Sequence, residues 1–115
     1  MPEQGDIVLI PIPFTDLSSQ KRRPVIVISN DAYHKATADM VVVAMTSNPA
    51  PVPYNVSLTA ADLSQGSLNH PGTVRVDKIY TLSQGLIVRT FGRVNTATLN
   101  RIRKRLRELL PRVRI

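Results

Sequence analysis

The sequence has no cysteine, few aromatic residues and no long apolar run. Without cysteine there is no disulfide framework, no thiolate nucleophile and no thiolate metal ligand. No apolar run approaches the roughly 18 residues that a membrane span requires, and the amino terminus lacks a basic segment followed by an apolar one. These absences favour a soluble, cytoplasmic protein that does not contact a membrane.

Signals for metals and cofactors are equally scarce. His34 and His70 are isolated, and no two acidic residues stand at ligand spacing in one plausible site. Neither a glycine-rich phosphate loop nor a serine nucleophile elbow is present. We therefore expect no metal, no cofactor and no serine-based chemistry.

The length of 115 residues, of which 43% are hydrophobic, predicts a single domain spanning residues 1–115 around one core. Apolar runs rich in β-branched residues at 7–10, 25–28 and 40–45 predict short strands. Leucine and isoleucine recur at spacings of three and four between residues 99 and 110, which indicates an amphipathic helix. The predicted fold is mainly β: a small, strongly bent antiparallel sheet or half-open barrel with a C-terminal helix packed on it.

Several local features carry more specific expectations. Pro11 restricts the first strand to a sheet edge or a bulge. Residues 33–39 are expected to form a weakly structured connector, and residues 86–94 a strand. Two successive strand pieces are predicted at 73–76 and 78–82, with Val74, Val76 and Ile79 facing inward.

The net charge of +7 is unevenly distributed along the chain. Residues 1–92 contain seven cations and seven acids, whereas residues 93–115 contain eight cations and one acid. This asymmetry points to an anionic partner, either nucleic acid or an acidic protein, and a solvated helix face is the alternative.

Three cations precede the strand at residues 25–28, and the last of them, Arg23, is followed by Pro24. The proline pushes Arg23 toward extended geometry, so a guanidinium is held where a loop enters the core. We interpret this as an anion site, with phosphate as the anion.

Three further polar residues lie on or at the ends of predicted strands. Thr46 ends one strand, and Arg75 and Asp77 share one face of another because they are two residues apart. Each has a simpler explanation when taken alone, as a turn former or as a surface ion pair.

Five short motifs occur in a fixed order: Gly5-Asp6-Ile7-Val8, Lys21-Arg22-Arg23-Pro24-Val25, Thr46-Ser47-Asn48, Val74-Arg75-Val76-Asp77-Lys78-Ile79 and Gly92-Arg93-Val94. Over about residues 5–110, this series resembles the MazF/PemK toxins of bacterial type II toxin–antitoxin systems. The resemblance implies an SH3-like barrel that forms a homodimer. It also implies cleavage of single-stranded RNA at short sequences, and neutralisation by a cognate acidic antitoxin.

The same resemblance implies roles for individual residues. Its catalytic positions fall on Arg23, Thr46, Arg75 and Asp77. Asp77 would be the base that makes the 2′-hydroxyl of the RNA the nucleophile, and the arginines would bind the phosphate. The family account makes Arg75 the acid, but a guanidinium hardly deprotonates, which favours an electrostatic role.

Further residues are expected to contact RNA: Lys21, Arg22, Ser47, Lys78 and His70. For His70 a place in a surface loop is the alternative. Some family members carry a histidine in the loop before the arginine-proline pair, where this chain has Ser18, Ser19 and Gln20, so the role of that loop is open.

Two other functions compete with the metal-independent endoribonuclease. A gyrase poison of the CcdB type relies on a tryptophan near the C-terminus, and this chain has no tryptophan. A non-catalytic RNA-binding barrel would use the basic helix and would leave RNA intact.

Overall fold

The computed structural model describes residues 1–11, 22–47 and 53–112. Its elements, in chain order, are β1 (Asp6–Pro11), β2 (Arg22–Val27), α1 (Asp31–Ala36), β3 (Asp39–Thr46), β4 (Asn55–Leu58), β5 (Leu63–Gly66), β6 (Gly72–Ser83), β7 (Arg89–Val94) and α2 (Thr96–Leu109). Short 3₁₀ turns occupy Ala60–Asp62 and Gln84–Leu86. The strands form one curled antiparallel sheet in the order β4-β6-β3-β2-β1-β7-β5, which confirms the mainly β fold.

Alternation along the strands divides the buried residues between the two faces of the sheet. Neighbours across the ladder share a face, so Ile7, Ile26 and Val43 pack together in one cluster that also contains Ile102 of α2. On the other face lies a second cluster of Val8, Ile10, Val25, Val27, Met40 and Val42. Both faces therefore bury apolar surface, which explains why the runs in β2 and β3 are apolar throughout.

The C-terminal helix was predicted closely. Asn95 caps it, because its side-chain oxygen accepts a hydrogen bond from the Thr98 backbone N–H at 2.9 Å. Ile102 is fully buried, whereas Leu110, at the C-cap, is 72% exposed. None of the helices in the described ranges is long and apolar enough to cross a membrane.

The segment 33–39 is not a weakly structured connector, because most of it belongs to α1. Asn30 caps this short helix by accepting a hydrogen bond from the Tyr33 N–H at 2.9 Å, and His34 is buried beneath it. The Gln84 side-chain nitrogen lies within 3.1 Å of three carbonyl oxygens at the end of the helix and the start of β3. Long-range hydrogen bonding thus orders a segment whose sequence has no apolar periodicity.

The two strand pieces predicted at 73–76 and 78–82 are one long strand, β6, with an irregularity in its middle. Val43 of β3 faces Ile79, and the next residue, Ala44, faces Arg75. The intervening residues 76–78 form a bulge, which bends the strand. The prediction that Ile79 faces inward was wrong, since Ile79 is 40% exposed just after this bulge.

Other predicted boundaries also need correction. The strand expected at 86–94 begins only at Arg89, after the 3₁₀ turn at Gln84–Leu86. Of the two alternatives for the first strand, the sheet edge was wrong, because β1 pairs with both β2 and β7. Its pairing with β7 does contain an irregularity, between Ile7 and Val8, and the strand ends at Pro11. The edge strand β5 was not predicted, because its four residues lack an apolar pattern.

An ion pair joins β1 and β7, the first and last strands along the chain. Asp6, which is 6% exposed, accepts a hydrogen bond from the Arg93 Nε at 2.9 Å, and Arg93 also pairs with Glu3. The Asp6 carboxylate also accepts a hydrogen bond from the Glu3 backbone N–H at 2.9 Å. Two of the five motifs, those at residues 5–8 and 92–94, therefore meet in a structural contact between β1 and β7.

Two glycines make the close approach of β5 to β7 possible. Gly66 has a φ of +81°, and a Cβ there would lie 2.0 Å from the carbonyl oxygen of Phe91. A Cβ on Gly92, its partner across the ladder, would lie 2.2 Å from the carbonyl oxygen of Gln65. No side chain fits at either position. This close contact between β5 and β7 fixes the start of the loop at residues 67–71.

We predict that Gly66→Ala lowers the free energy of unfolding by more than about 1 kcal/mol, because alanine is disfavoured at positive φ and would clash with the backbone. Gly85→Ala is the matched control, since its Cβ would meet only the Ser83 hydroxyl at 3.5 Å. Urea denaturation monitored by circular dichroism measures both. Equal midpoints for the two variants would contradict the packing described at Gly66.

Candidate active site

The sheet register brings the start of β2 beside the end of β3. Val25 faces Ala44, so the strands run on from that pair toward Arg23 and Thr46. Both of these side chains line the same two cavities, one on each side of them. The predicted phosphate-binding arginine and the predicted threonine therefore lie together.

The smaller cavity has a volume of about 330 Å³ and contains most of the predicted catalytic groups. Arg23, Thr46, Arg75 and Lys78 line it. Most of its other lining residues are apolar: Ile10 and Val25 belong to the second core cluster, Tyr80 and Leu82 border that cluster, and Met45 belongs to the first cluster. Three cations thus converge beside apolar side chains. A phosphate bound there would be partly shielded from water, and its attraction to the cations would be stronger than in bulk solvent.

Asp77 is connected to the smaller cavity through its hydrogen bonds with Arg75. The Arg75 Nε lies 2.9 Å from the Asp77 Oδ1, and its Nη2 lies 2.7 Å from the Oδ2. This bidentate pair is partly open to solvent, with side-chain exposures of 24% for Arg75 and 31% for Asp77. The Asp77 carboxylate lines neither cavity, so it stands behind the arginine at the rim.

The pair alters the protonation behaviour of both partners. Hydrogen bonds from Arg75 hold the pKa of Asp77 below its ordinary value, against the opposing effect of partial burial. The same hydrogen bonds raise the pKa of Arg75 above its ordinary value. Arg75 is therefore permanently charged, and this geometry suits it to binding an anion rather than to donating a proton.

The larger cavity, of about 510 Å³, opens on the other side of Arg23 and Thr46. Three of the residues predicted to contact RNA line it: Arg22, Ser47 and His70. Lys78 lies in the smaller cavity, and Lys21 lies outside the described residues. The predicted set is thus divided between two neighbouring cavities.

Apart from His70, sequence reasoning missed the far wall of the larger cavity. It consists of the loop at residues 67–71 together with Arg89 and Phe91 of β7. Arg89 and Phe91 are two residues apart on one strand face, and the guanidinium carbon lies 5.5 Å from the ring centroid. The spacing of Arg89 and Phe91 is visible in the sequence, but the sequence does not show that β7 lies close to Thr46.

Within residues 1–11, 22–47 and 53–112, no three His, Asp or Glu side chains lie close enough together to hold a metal ion. The residues that line the two cavities include five cations and no carboxylate: Arg22, Arg23, Arg75, Lys78 and Arg89. This distribution fits a polyanionic ligand held by side chains alone.

Known proteins resemble this chain in sequence and in fold. The endoribonuclease MazF4 of Mycobacterium tuberculosis is 31% identical over 80 residues, which cover 70% of this chain and 70% of that protein. A mycobacterial endoribonuclease solved in complex with its cognate antitoxin superposes with a TM-score of 0.77 at 28% identity, over 98% of this chain and 100% of the other. A MazE–MazF complex from Deinococcus radiodurans also gives a TM-score of 0.77, at 27% identity and 95% coverage of both chains.

The sequence profile of one protein family matches residues 3–110, almost the whole chain. The match includes every motif on which the resemblance was based, from the residues of β1 to the end of α2. The chain belongs to the PemK-like, MazF-like toxins of type II toxin–antitoxin systems.

Proposed function

We propose that this chain is an endoribonuclease toxin that cleaves single-stranded RNA without a metal ion, at the site formed by Arg23, Thr46, Arg75 and Asp77. The observation that carries the proposal is the smaller cavity, where Arg23, Thr46 and Arg75 converge and Asp77 is bound to Arg75. Relatives of similar size are named endoribonucleases, which supports the same chemistry here.

The reaction begins at the 2′-hydroxyl of the substrate. Asp77 takes the proton, the 2′-oxygen attacks the neighbouring phosphorus, and the bond from phosphorus to the 5′-oxygen breaks. The products are a 2′,3′-cyclic phosphate and a free 5′-hydroxyl. DNA lacks the nucleophile and is not a substrate.

Negative charge builds on the phosphate oxygens as the 2′-oxygen attacks. Arg23 and Arg75 supply forked donors to these oxygens, and Lys78 adds a third cation in the same cavity. The Thr46 hydroxyl lies beside Arg23 and can donate to the same oxygens. Because its pKa is raised, Arg75 keeps its proton, and the leaving 5′-oxygen takes a proton from water.

The two oxygens of Asp77 are engaged by Arg75 but are not saturated. Each carboxylate oxygen accepts one hydrogen bond from Arg75 and has the capacity for another, so a 2′-hydroxyl can approach the exposed side of the group. A base with a lowered pKa is a weak one, so we assign a larger share of catalysis to the cations than to proton transfer.

We predict that the chain cleaves a long single-stranded RNA in excess EDTA and leaves 2′,3′-cyclic phosphate ends. Asp77→Asn should slow cleavage by about 10²-fold, the lower end of the range for general-base catalysis, because a carboxylate with a lowered pKa is a weak base. Arg23→Ala should slow it by about 10²- to 10³-fold through loss of a phosphate donor. Single-turnover rates on one RNA measure both effects.

Asp31→Asn and Lys35→Ala are the matched controls, since both residues are exposed on α1 and line neither cavity. Both controls should cut at the wild-type rate. Wild-type rates for Asp77→Asn and Arg23→Ala would overturn the site assignment. Binding that falls steeply with salt while the RNA stays intact would instead support the non-catalytic barrel.

The pH dependence follows from the direction of the Asp77 shift. A lowered pKa means that the carboxylate is ionised, and able to act as a base, throughout the neutral range. We therefore expect a single-turnover rate that is flat between about pH 5 and pH 8 and falls only as the pH drops below about 4, the ordinary range for an aspartate. Circular dichroism at each pH checks that the chain is folded. An inflection near about pH 6.5 would point to a histidine base instead.

We infer further that the toxin acts as a homodimer and is neutralised by an acidic antitoxin. Two similar solved structures are complexes with an antitoxin or with MazE, which supports a protein partner of this kind. On α2, Lys104 and Arg107 are exposed and suit an acidic segment. Sedimentation equilibrium should give twice the mass of 12.7 kDa, and a monomer at micromolar concentration would contradict the dimer.

A further inference from the structure

The larger cavity has the composition of a pocket for a flat, polar-edged group. Its apolar surface comes from Pro24, Met45, Leu68 and Phe91, of which Leu68 and Phe91 are only partly buried. Its volume of about 510 Å³ falls within the range of roughly 300–1,000 Å³ that is typical of small-ligand sites. The mechanism proposed above uses none of these apolar groups.

Arg89 and Phe91 form a stacking platform on one side of this cavity. The Arg89 guanidinium carbon lies 5.5 Å from the centroid of the Phe91 ring, so the two groups present a cation above an aromatic face. Unstacked RNA bases bind proteins by stacking on aromatic rings or on arginine planes. Arg89 is exposed, and nothing in the catalytic scheme requires it.

The same wall also carries polar groups, on a fixed segment of backbone. Asn69 and His70 lie in the loop between β5 and β6 and line the cavity. The close pairing of Gly66 with Gly92 fixes the start of this loop, so the side chains of the loop lie beside Arg89 and Phe91. An amide and an imidazole offer both donors and acceptors to the edge of a base.

The cavity adjoins the scissile site directly. Arg23, Pro24, Met45 and Thr46 line both cavities, and no carboxylate lines either one. A phosphate bound between Arg23 and Thr46 would therefore place a neighbouring nucleotide over the larger cavity. Charge and continuity both favour the RNA itself, rather than another ligand, as the occupant.

We propose that the larger cavity receives one base of the RNA, next to the scissile phosphate, and that Arg89, Phe91 and Asn69 determine which base it is. Phe91 and Arg89 stack on the base, and Asn69 reads its edge. This inference rests on the proposed function, because it names the sequence-reading part of the same site.

The test uses two readouts, of which one requires no cleavage. The first maps the cut ends in an RNA pool that is randomised around the cleavage position. The second follows ¹³C-labelled leucine methyl groups by NMR during titration with a non-cleavable 2′-O-methyl RNA pool. Leu68 lines only the larger cavity and Leu82 only the smaller one, so their signals report on the two cavities separately.

We expect the wild-type chain to show a base preference next to the cut and RNA-induced shifts of both Leu68 and Leu82. Arg89→Met and Asn69→Ala should weaken that preference by about tenfold while the cyclic phosphate ends persist. Arg89→Met should also abolish the Leu68 shift and leave the Leu82 shift in place. Arg105→Met, which removes an exposed cation from α2, should change neither readout.

An unchanged base preference in both variants, or an RNA titration that leaves Leu68 unmoved, would overturn the inference. So would a Leu68 shift caused by an acidic peptide but not by RNA. If the wild-type chain cuts nothing and RNA still shifts Leu68 in an Arg89-dependent manner, the base pocket stands and the proposed catalysis fails.

Discussion

Val43 faces Ile79 across the sheet, whereas the next residue of β3, Ala44, faces Arg75. A regular antiparallel ladder continued from Val43 would place Arg75 opposite residue 47, beyond the end of β3. The bulge at residues 76–78 instead draws Arg75 back by three positions, into the row that contains Val25 and Ala44. It also buries Val76 completely and leaves Asp77 on the solvent side, where the carboxylate can engage the arginine. The whole candidate site depends on this one break in the register.

The charge distribution in the folded chain differs from that along the sequence. Residues 1–92 are neutral in sum, yet the two cavities are lined by cations and by no acid. The reason is that cations of the C-terminal segment pair with acids of the earlier one: Arg93 with Glu3 and Asp6, and Arg101 with Asp62. Among the described residues, these pairs leave no acid beside the cavity-lining cations Arg22, Arg23, Lys78 and Arg89, and Arg75 pairs only with Asp77. The basic C-terminal segment thus contributes indirectly to the field around the site.

Much of the fold could be predicted because its signals are local. Strands β2 and β3 are runs of β-branched residues, and α2 shows its apolar spacing and its Asn95 cap within a single segment. The misses share a physical cause, since α1 and β5 are held by contacts with distant residues rather than by their own patterns. The Gln84 side chain donates to carbonyl oxygens of His34 and Asp39, which are 50 and 45 residues away, and so holds the end of α1. The absence of a side chain at Gly92 allows β5 to pack closely against β7. No window of sequence contains both partners of such contacts.

By itself, the sequence determined the strand-rich composition, the terminal helix and the identities of the groups able to bind and cleave a phosphodiester. It also carried the family motifs, because motif residues are contiguous and can be read without a fold. Only the tertiary structure decided that Arg23, Thr46 and Arg75 share one cavity, and that Arg89 and Phe91 line another together with the loop at residues 67–71. It also decided that Asp6 and Arg93 meet in an ion pair between β1 and β7. These outcomes depend on strand order and on a bulge in the register, and such properties arise from pairing between distant segments.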